Sequence, residues 1–204
     1  MYFSVVDSQS LFRAELPSGR VTHWCVDDTP LCLSVTDAHS LLVVTCREVG
    51  RIKEFGSDGD LLREICLPRD VVSPLHAVQL SGDEFVVCHG DDGDPVHRVC
   101  LIDSAGQVVR SFGSRRGSGA RCLDGPSHLA VDRNGFVFVA DLNNDRVLLL
   151  SPSLTYIREV LSSDQLKGAP IRLHFDAERS RLYVGVNDWQ YDRYSGGHVV
   201  VVDI

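Results

Sequence analysis

The chain of 204 residues has two lysines, a single methionine and two tryptophans. It has no apolar run near the roughly 20 residues of a membrane-spanning helix, so no membrane association is expected. Its first residues, MYFSVVDSQS, lack a basic stretch followed by a long apolar one, and no secretory signal is predicted. Hydrophobic residues make up 44% of the chain, which is enough for a buried core.

The sequence also lacks any CxxC pair, which argues against a zinc site of the usual spacing. Its seven cysteines are odd in number, and most lie inside apolar runs such as FVVC and RVCLI. Free, buried thiols in a reducing compartment are therefore expected, which predicts a cytoplasmic protein. The formal net charge of −8 argues against sequence-independent binding of nucleic acid.

Four segments that begin with proline share a pattern. The prolines are 44, 52 and 44 residues apart, and each opens a short apolar strand; the segments are PLCLSV at Pro30, PLHAVQL at Pro74, PSHLAVD at Pro126 and PIRLHFD at Pro170. A second apolar strand follows about a dozen residues later in each unit. A third strand then begins at a basic residue: Arg51, Arg98, Arg146 or His198.

A fourth strand closes the first three units: LLREI, VVRSF and YIREV. The arginine in each lies 12 residues after the basic residue that opens the third strand, as a tight hairpin of constant length requires. Gly59 and Gly106 supply the positive φ that such turns need. Four short antiparallel strands in about 44 residues are typical of a propeller blade, so an all-β propeller is predicted.

Residues 125–151, GPSHLAVDRNGFVFVADLNNDRVLLLS, resemble an NHL repeat. The resemblance implies a six-bladed β-propeller, of which this chain holds about four and a half to five blades. The expected division of the single propeller segment 1–204 is a partial blade at 1–29, blades at 30–73, 74–125 and 126–169, and a partial blade at 170–204. Other blades match the repeat weakly: Thr45, His89 and Gly185 stand where the best repeat has Asp141.

Within the best repeat we expect structural roles. Pro126 begins the inner strand, Asp132 and Gly135 form the turn to the second strand, and Asp141 pairs with Arg146 across the next loop. No catalytic residue is predicted. The chain shows no Ser-His-Asp arrangement, phosphate-binding loop or GxSxG elbow.

Two residues after each repeat proline come Cys32, His76, His128 and Arg172, which share one register and can face a common axis. This shared register allows two interpretations. Either the histidines pack structurally and no cofactor is bound, or His76 and His128 hold a metal ion, as in metal-dependent propeller lyases and hydrolases. No dense set of Asp, Asn and Glu in that register completes a metal shell, which favours the structural reading.

One end of the propeller, which carries the loops between second and third strands and between blades, is expected to bind partners. Its predicted loops are 46–50, 67–73, 89–97, 113–125, 141–145, 161–169 and 187–197. Candidate contact residues there are Arg115, Arg116, Arg121, Trp189, Tyr191, Arg193 and Tyr194, which are types enriched in binding hot spots.

The sequence therefore favours a non-catalytic scaffold for protein partners, with no small-molecule substrate. The NHL resemblance implies the substrate-recruiting part of a tripartite-motif protein, an E3 ubiquitin ligase whose RING lies outside this sequence. One alternative is single-stranded RNA binding through the three arginines, although neighbouring aspartates dilute their charge. The other is the metal-dependent enzyme.

Overall fold

The computed structural model describes residues 1–5, 9–46, 49–80, 83–119, 121–190 and 193–204. At residues 3, 5, 189, 190 and 193–195 the description covers the backbone. Within these ranges the chain forms eighteen strands, one short α-helix (Ser163–Leu166) and a 3₁₀ turn (Leu142–Asn144). No helix in the described ranges has the length and apolarity needed to cross a membrane.

Five antiparallel sheets follow one another along the chain. Three of them have four strands each: β4 (Pro30–Val35), β5 (Leu41–Cys46), β6 (Gly50–Phe55) and β7 (Leu61–Cys66); β8 (Pro74–Gln79), β9 (Phe85–His89), β10 (Val96–Ile102) and β11 (Val108–Arg115); β12 (Pro126–Val131), β13 (Val137–Asp141), β14 (Arg146–Leu150) and β15 (Tyr156–Leu161). Two have three strands: β1 (Tyr2–Val5), β2 (Ser10–Ala14) and β3 (Val21–Cys25); β16 (Ala169–Asp176), β17 (Arg181–Gln190) and β18 (Arg193–Asp203).

The first strands of successive four-stranded sheets lie side by side around a common axis, and β16 continues the series. Side chains link these inner strands: Ser34 Oγ donates to the carbonyl of Ala77 at 2.7 Å, and Ser127 Oγ donates to that of Pro170 at 3.2 Å. Sheets arranged radially in this way are propeller blades. The predicted all-β propeller is confirmed.

The core lies between neighbouring sheets. The second strands β9 and β13 are buried at every residue, because each is covered by blades on both faces. The fourth strands add a few buried apolar residues to these layers, namely Ile65, Phe112, Val160 and Leu161. Each blade therefore depends on its neighbours for much of its apolar burial, as in other repeat folds.

The turns between third and fourth strands follow the predicted chemistry at two places. Gly59 has φ of 94° and Gly106 has φ of 79°. At Gly106 a Cβ atom would lie 2.3 Å from the carbonyl oxygen of Cys66, so the turn also packs too closely for a side chain. The equivalent turn before β15 uses Leu154 at φ of 58°.

Three predictions of local structure were wrong. The predicted loop 187–197 is largely a hairpin, because β17 and β18 continue their pairing to Trp189–Tyr194 and Gln190–Arg193. Within the predicted loops 89–97 and 113–125, Val96 and Arg115 are still paired as strand residues. Strand-forming side chains there outweigh the nearby glycines that favoured loops.

The third error concerns the alignment of the last blade. Pro170 pairs with Val186 and Arg172 pairs with Gly185, so Val186, and not Gly185, occupies the place of Asp141. The cause lies in the turn between β16 and β17, where six residues separate the paired Phe175 and Leu182, whereas five separate the equivalent Val131 and Val137. The β-bulge after the repeat proline is common to all four inner strands and does not shift this alignment.

Candidate functional site

The loop between β13 and β14 is closed by a buried ion pair. Arg146 Nε donates to Asp141 Oδ2 at 2.7 Å, and the Asp141 side chain is fully buried. The Asp124 N–H donates to Oδ1 at 2.7 Å, and Asn144 Nδ2 donates to Oδ2 at 2.8 Å. The pairing expected across this loop is therefore present, and Asp141 is occupied by structural contacts.

The turn on the other side of β13 also has the expected geometry. Pro126 begins β12. Asp132 Oδ1 accepts hydrogen bonds from the N–H groups of Asn134 at 2.9 Å and Phe136 at 2.8 Å. Gly135 has φ of 81°. These residues shape the turn between β12 and β13.

The equivalent loop between β9 and β10 uses a histidine. Arg98 Nε donates to His89 Nε2 at 3.2 Å, and His89 Nδ1 lies 3.1 Å from the carbonyl oxygen of Val72. Burial, aided by the charge of Arg98, lowers the pKa of His89 to about 4. Arg98 also donates to Asp70 at 2.9 Å, and this hydrogen bond lowers the pKa of Asp70.

In the hairpin of β5 and β6, no described side chain takes the role that Asp141 has between β13 and β14. Thr45 Oγ1 and Arg51 Nε are both buried without a hydrogen-bond partner in the described part of the chain. Arg51 Nε lies 3.3 Å from Glu64 Oε1, within ion-pair distance but without hydrogen-bond geometry. A threonine side chain is too short to replace the carboxylate of Asp141.

We call the end of the propeller formed by these loops and the connections between blades the loop face. Arg116 links two of its loops, with Nη2 3.0 Å from Asp92 Oδ1 and Nε 2.9 Å from Asp124 Oδ1. The buried His97 donates from Nε2 to the carbonyls of Asp91 and Asp94, both at 3.1 Å. These side chains thus connect neighbouring loops of this surface.

The predicted arginine cluster is divided between environments. Arg116 is committed to its two aspartates, while Arg115 ends β11 and is exposed. Arg121 lines an outer groove of about 610 Å³ with Arg110 and Tyr156. Of the remaining candidates, Tyr191 lies outside the described residues. The side chains of Trp189, Arg193 and Tyr194 lie outside them as well. Their binding role stays a prediction.

The inner register brings Cys32, His76 and His128 together, with ligand atoms that lie within 4.8 Å of one another. All three residues are buried, and the imidazole rings of His76 and His128 stack with centroids 3.7 Å apart at 17°. The sequence indicated the shared register. It gave no indication of the stacking, which depends on the spacing of the blades.

Each of these histidines is bonded to the next blade. The Leu129 N–H donates to His76 Nδ1 at 3.1 Å, and the Leu173 N–H donates to His128 Nδ1 at 3.3 Å. A neutral imidazole that accepts at Nδ1 carries its proton on Nε2. Burial is the main cause that lowers the pKa of both groups, well below the usual value for His76 and to about 3 for His128, so both are neutral at pH 7.

This arrangement does not fit a metal centre well. A metal-bound imidazole normally donates its other ring N–H, whereas here Nδ1 accepts a hydrogen bond and Nε2 holds the proton. Stacked, nearly parallel rings also direct their nitrogens side by side and not toward one point. Burial raises the pKa of the Cys32 thiol, although the charge of Arg172 opposes that shift. The geometry therefore favours contacts between blades.

Comparison with known protein families finds no match to the sequence, and comparison with curated proteins finds none either. Solved structures do match the fold. Virginiamycin B lyase from Staphylococcus aureus aligns over all of this chain and 66% of its own, with a TM-score of 0.64 and 12% identity. A gluconolactonase from Xanthomonas campestris aligns over 87% and 62%, with a TM-score of 0.62 and 11% identity.

A third structure, the Dos1 propeller, aligns over 91% of this chain and 49% of its own, with a TM-score of 0.57 and 12% identity. The chain is a β-propeller. It spans 66% of the virginiamycin B lyase and less of the other two. At these identities the likeness concerns the fold alone, because one fold hosts many unrelated functions.

Proposed function

We propose that the chain is a non-catalytic, NHL-type propeller that binds a protein partner through its loop face. The observation that carries this proposal is the series of braced loops. Asp141 with Arg146, His89 with Arg98, and Arg116 with Asp92 and Asp124 restrain neighbouring loops. A surface ordered before binding loses less conformational entropy when a partner binds.

The charge of this face favours a protein over RNA. Arg98, Arg116 and Arg146 are each paired with carboxylates, so their charges are neutralised locally. In the loop between β9 and β10, Asp91 is exposed, and Asp92 beside it is paired with Arg116. Such a face attracts basic protein surfaces and repels phosphates.

The state of the central histidines supports a non-catalytic role. His76 and His128 are neutral and accept main-chain hydrogen bonds from the next blade. A general base must be free to take a proton, and these imidazoles hold theirs on the outer nitrogen.

From the NHL motif at 125–151 we further propose that the propeller belongs to a six-bladed, tripartite-motif type of protein in the cytoplasm. In that setting it recruits substrates for a RING-type ubiquitin ligase whose RING lies outside these residues. The test of this part is ubiquitin transfer to a captured partner by the longer polypeptide, with and without the propeller.

The binding proposal is tested by quantitative capture from nuclease-treated cytosol. The variant D91N removes a loop-face charge and keeps the contact between Arg116 and Asp92, and the matched control D58N removes one charge from the β6–β7 turn at the opposite end. We expect partners retained by the wild type and the control to be lost from the loop-face variant.

Equal capture by all three proteins would contradict the loop-face proposal. A partner that is retained only from untreated cytosol, with retention that falls steeply with salt and is abolished by R115E/R116E/R121E, would replace it with RNA binding. Full folding of each variant is checked by thermal unfolding.

A further inference from the structure

The outer groove of about 610 Å³ lies between the blade β8–β11 and the blade β12–β15. One wall is β11, the outermost strand of its sheet, and the other is the turn that leads into β15. The lining residues are 109–112, 121 and 153–156. Its volume lies within the roughly 300–1,000 Å³ of typical ligand sites. Only Arg121 comes from a loop of the loop face, so the groove extends beyond the surface in the proposed function.

The floor of the groove is apolar and well packed. Phe112 is 4% exposed and belongs to the core cluster between the two blades, as does Leu154. The ring of Tyr156 stacks on that of Phe112 with centroids 6.3 Å apart at 17°, and 45% of Tyr156 is exposed. Tyr156 therefore offers aromatic surface to a ligand and is supported from behind by a buried ring.

Hydrogen bonds within one turn fix the wall that faces β11. The Ser151 N–H donates to the Thr155 carbonyl at 2.8 Å, and the Leu154 N–H donates to the Ser151 carbonyl at 2.8 Å. The Thr155 N–H also donates to Ser151 Oγ at 3.0 Å. A wall held in this way loses little conformational entropy when a ligand binds.

The charge of the outer groove is positive, although the whole chain carries −8. Arg110 and Arg121 are both exposed, and neither side chain makes a hydrogen bond or an ion pair in the described part of the chain. Among the described residues that line the groove there is no aspartate or glutamate. On the loop face, by contrast, Arg98, Arg116 and Arg146 are paired with carboxylates. The two groove arginines are therefore available to a ligand of negative charge.

The strand edge beside the groove is long enough to pair with a peptide. β11 has eight residues, compared with six in the outer strands β7 and β15. The outward main-chain N–H and C=O groups of β11 have no strand partner in the described ranges, because β11 is the last strand of its sheet. An extended peptide can pair with such an edge and place alternate side chains in the neighbouring groove.

We propose that the outer groove binds an extended, acidic peptide segment of a partner protein. The main chain of the peptide adds to the edge of β11, its carboxylates contact Arg110 and Arg121, and an apolar side chain packs on Tyr156. Single-stranded RNA matches the groove less well, because RNA cannot form the strand pairing that β11 offers. Its bases would also find only one exposed aromatic ring among the lining residues.

The probe is a random peptide library displayed on phage, with peptides longer than the eight residues of β11. It is selected on the immobilised wild-type chain. We expect the selected sequences to be enriched in aspartate and glutamate, with an aliphatic or aromatic residue between the acidic ones. One selected peptide is then synthesised with a fluorescent label and titrated by anisotropy. Selection of no peptide, or of peptides without acidic enrichment, would contradict the proposal.

Charge reversal in the groove tests the ionic contacts. In R110E/R121E we expect the affinity for the labelled peptide to fall roughly tenfold or more, because the carboxylates of the peptide then face glutamates. The matched control R20E/R158E makes the same change in net charge at two other exposed arginines, which have no ion pair among the described residues. Equal losses in the two variants would mean that only net charge matters, and the proposal would fall.

Hydrogen exchange of the wild-type chain locates the bound peptide. We expect slower amide exchange in residues 108–115 and 151–156 when the peptide is present, and unchanged exchange in residues 90–94 of the β9–β10 loop. Protection of 90–94 without protection of β11 would place the peptide on the loop face and contradict the groove. This measurement uses no variant, so it decides even if R110E/R121E does not fold.

The outcome is separate from that of the loop-face proposal. We expect D91N to leave the affinity for the selected peptide unchanged, whatever its effect on capture from cytosol. Displacement of the peptide by random single-stranded RNA, with the affinity for both ligands reduced in R110E/R121E, would assign the groove to nucleic acid and overturn the proposal.

Discussion

The hairpins β5–β6 and β13–β14 have the same register but differ in what their loops contain. Thr45 pairs with Arg51 in one as Asp141 pairs with Arg146 in the other. In the second hairpin a buried carboxylate accepts hydrogen bonds from Arg146, Asn144 and the Asp124 N–H. In the first, Thr45 Oγ1 and Arg51 Nε remain without a hydrogen-bond partner in the described part of the chain, although Arg51 Nε lies within ion-pair distance of Glu64.

This difference shows that the repeated backbone does not depend on the polar pair. The blade at 30–66 keeps its strands because apolar layers on both sides hold them, with Leu42, Val44 and Ile52 nearly fully buried. The ion pair of Asp141 and Arg146 in the blade at 126–161 therefore acts locally, on the loop between β13 and β14. Variants at the matched positions test how large that local effect is.

The largest effect is expected for D141A. Removal of the carboxylate leaves the guanidinium of Arg146, the amide of Asn144 and the main-chain N–H of Asp124 without their acceptor. We expect the free energy of unfolding to fall by about 3 kcal/mol, as for other broken buried pairs. Urea denaturation measures it.

The matched variant T45A should lower the free energy of unfolding by less than about 1 kcal/mol. Its hydroxyl has no hydrogen-bond partner to lose among the described residues. Equal losses in D141A and T45A would mean that the two loops do not differ energetically, and the comparison would fail.

A second expectation concerns how the free energy of unfolding depends on pH through His89, which contacts Arg98 in the loop between β9 and β10. The pKa of His89 is about 4 in the folded chain and roughly 6.5 when unfolded. The unfolded state therefore binds more protons between these values. The stability that His89 contributes is complete above pH 6.5 and is lost as pH falls toward 4, by about 3 kcal/mol.

The variant H89Q keeps an acceptor for Arg98 and cannot titrate. We expect its stability to fall less steeply than that of the wild type between pH 6.5 and 4, with His76 and His128 still titrating in both proteins. Parallel pH profiles, recorded by urea denaturation at each pH, would show that His89 is not held neutral by the fold.

The smallest effect is expected for T45D, which supplies the missing carboxylate. The cost of burying the new carboxylate offsets most of the free energy gained when it pairs with Arg51. The free energy of unfolding should therefore change by close to zero. Its coupling to Arg51, measured as a double-mutant cycle with R51Q, should be about 1 kcal/mol and favourable. No coupling would mean that the introduced carboxylate does not reach Arg51.

Much of the fold could be predicted because the repeat is visible in single residues. The repeat prolines begin or lie at the start of the inner strands, and the constant spacing of the arginines marked the hairpins. Pairing between Asp141 and Arg146 followed from two residues that flank one loop. Interactions of this kind are local in sequence, so spacing alone constrains them.

The hydrogen bond from the Leu129 N–H to His76 joins residues 53 positions apart. Neither that contact nor the extended β17–β18 hairpin could be read from periodicity. The longer turn between β16 and β17, which assigns Val186 to the place of Asp141, is also visible only once the strands are paired.

By itself the sequence determined that this protein is an all-β repeat, where its repeated inner strands begin and which polar residues face each other across the loop between β13 and β14. These features depend on alternation, turn residues and short spacings, which the chain carries locally. The tertiary structure decided the tautomers of His76 and His128, the pairing of Arg116 with two aspartates and the outer groove. Each of these depends on the distance between blades, which is set by how the apolar layers pack.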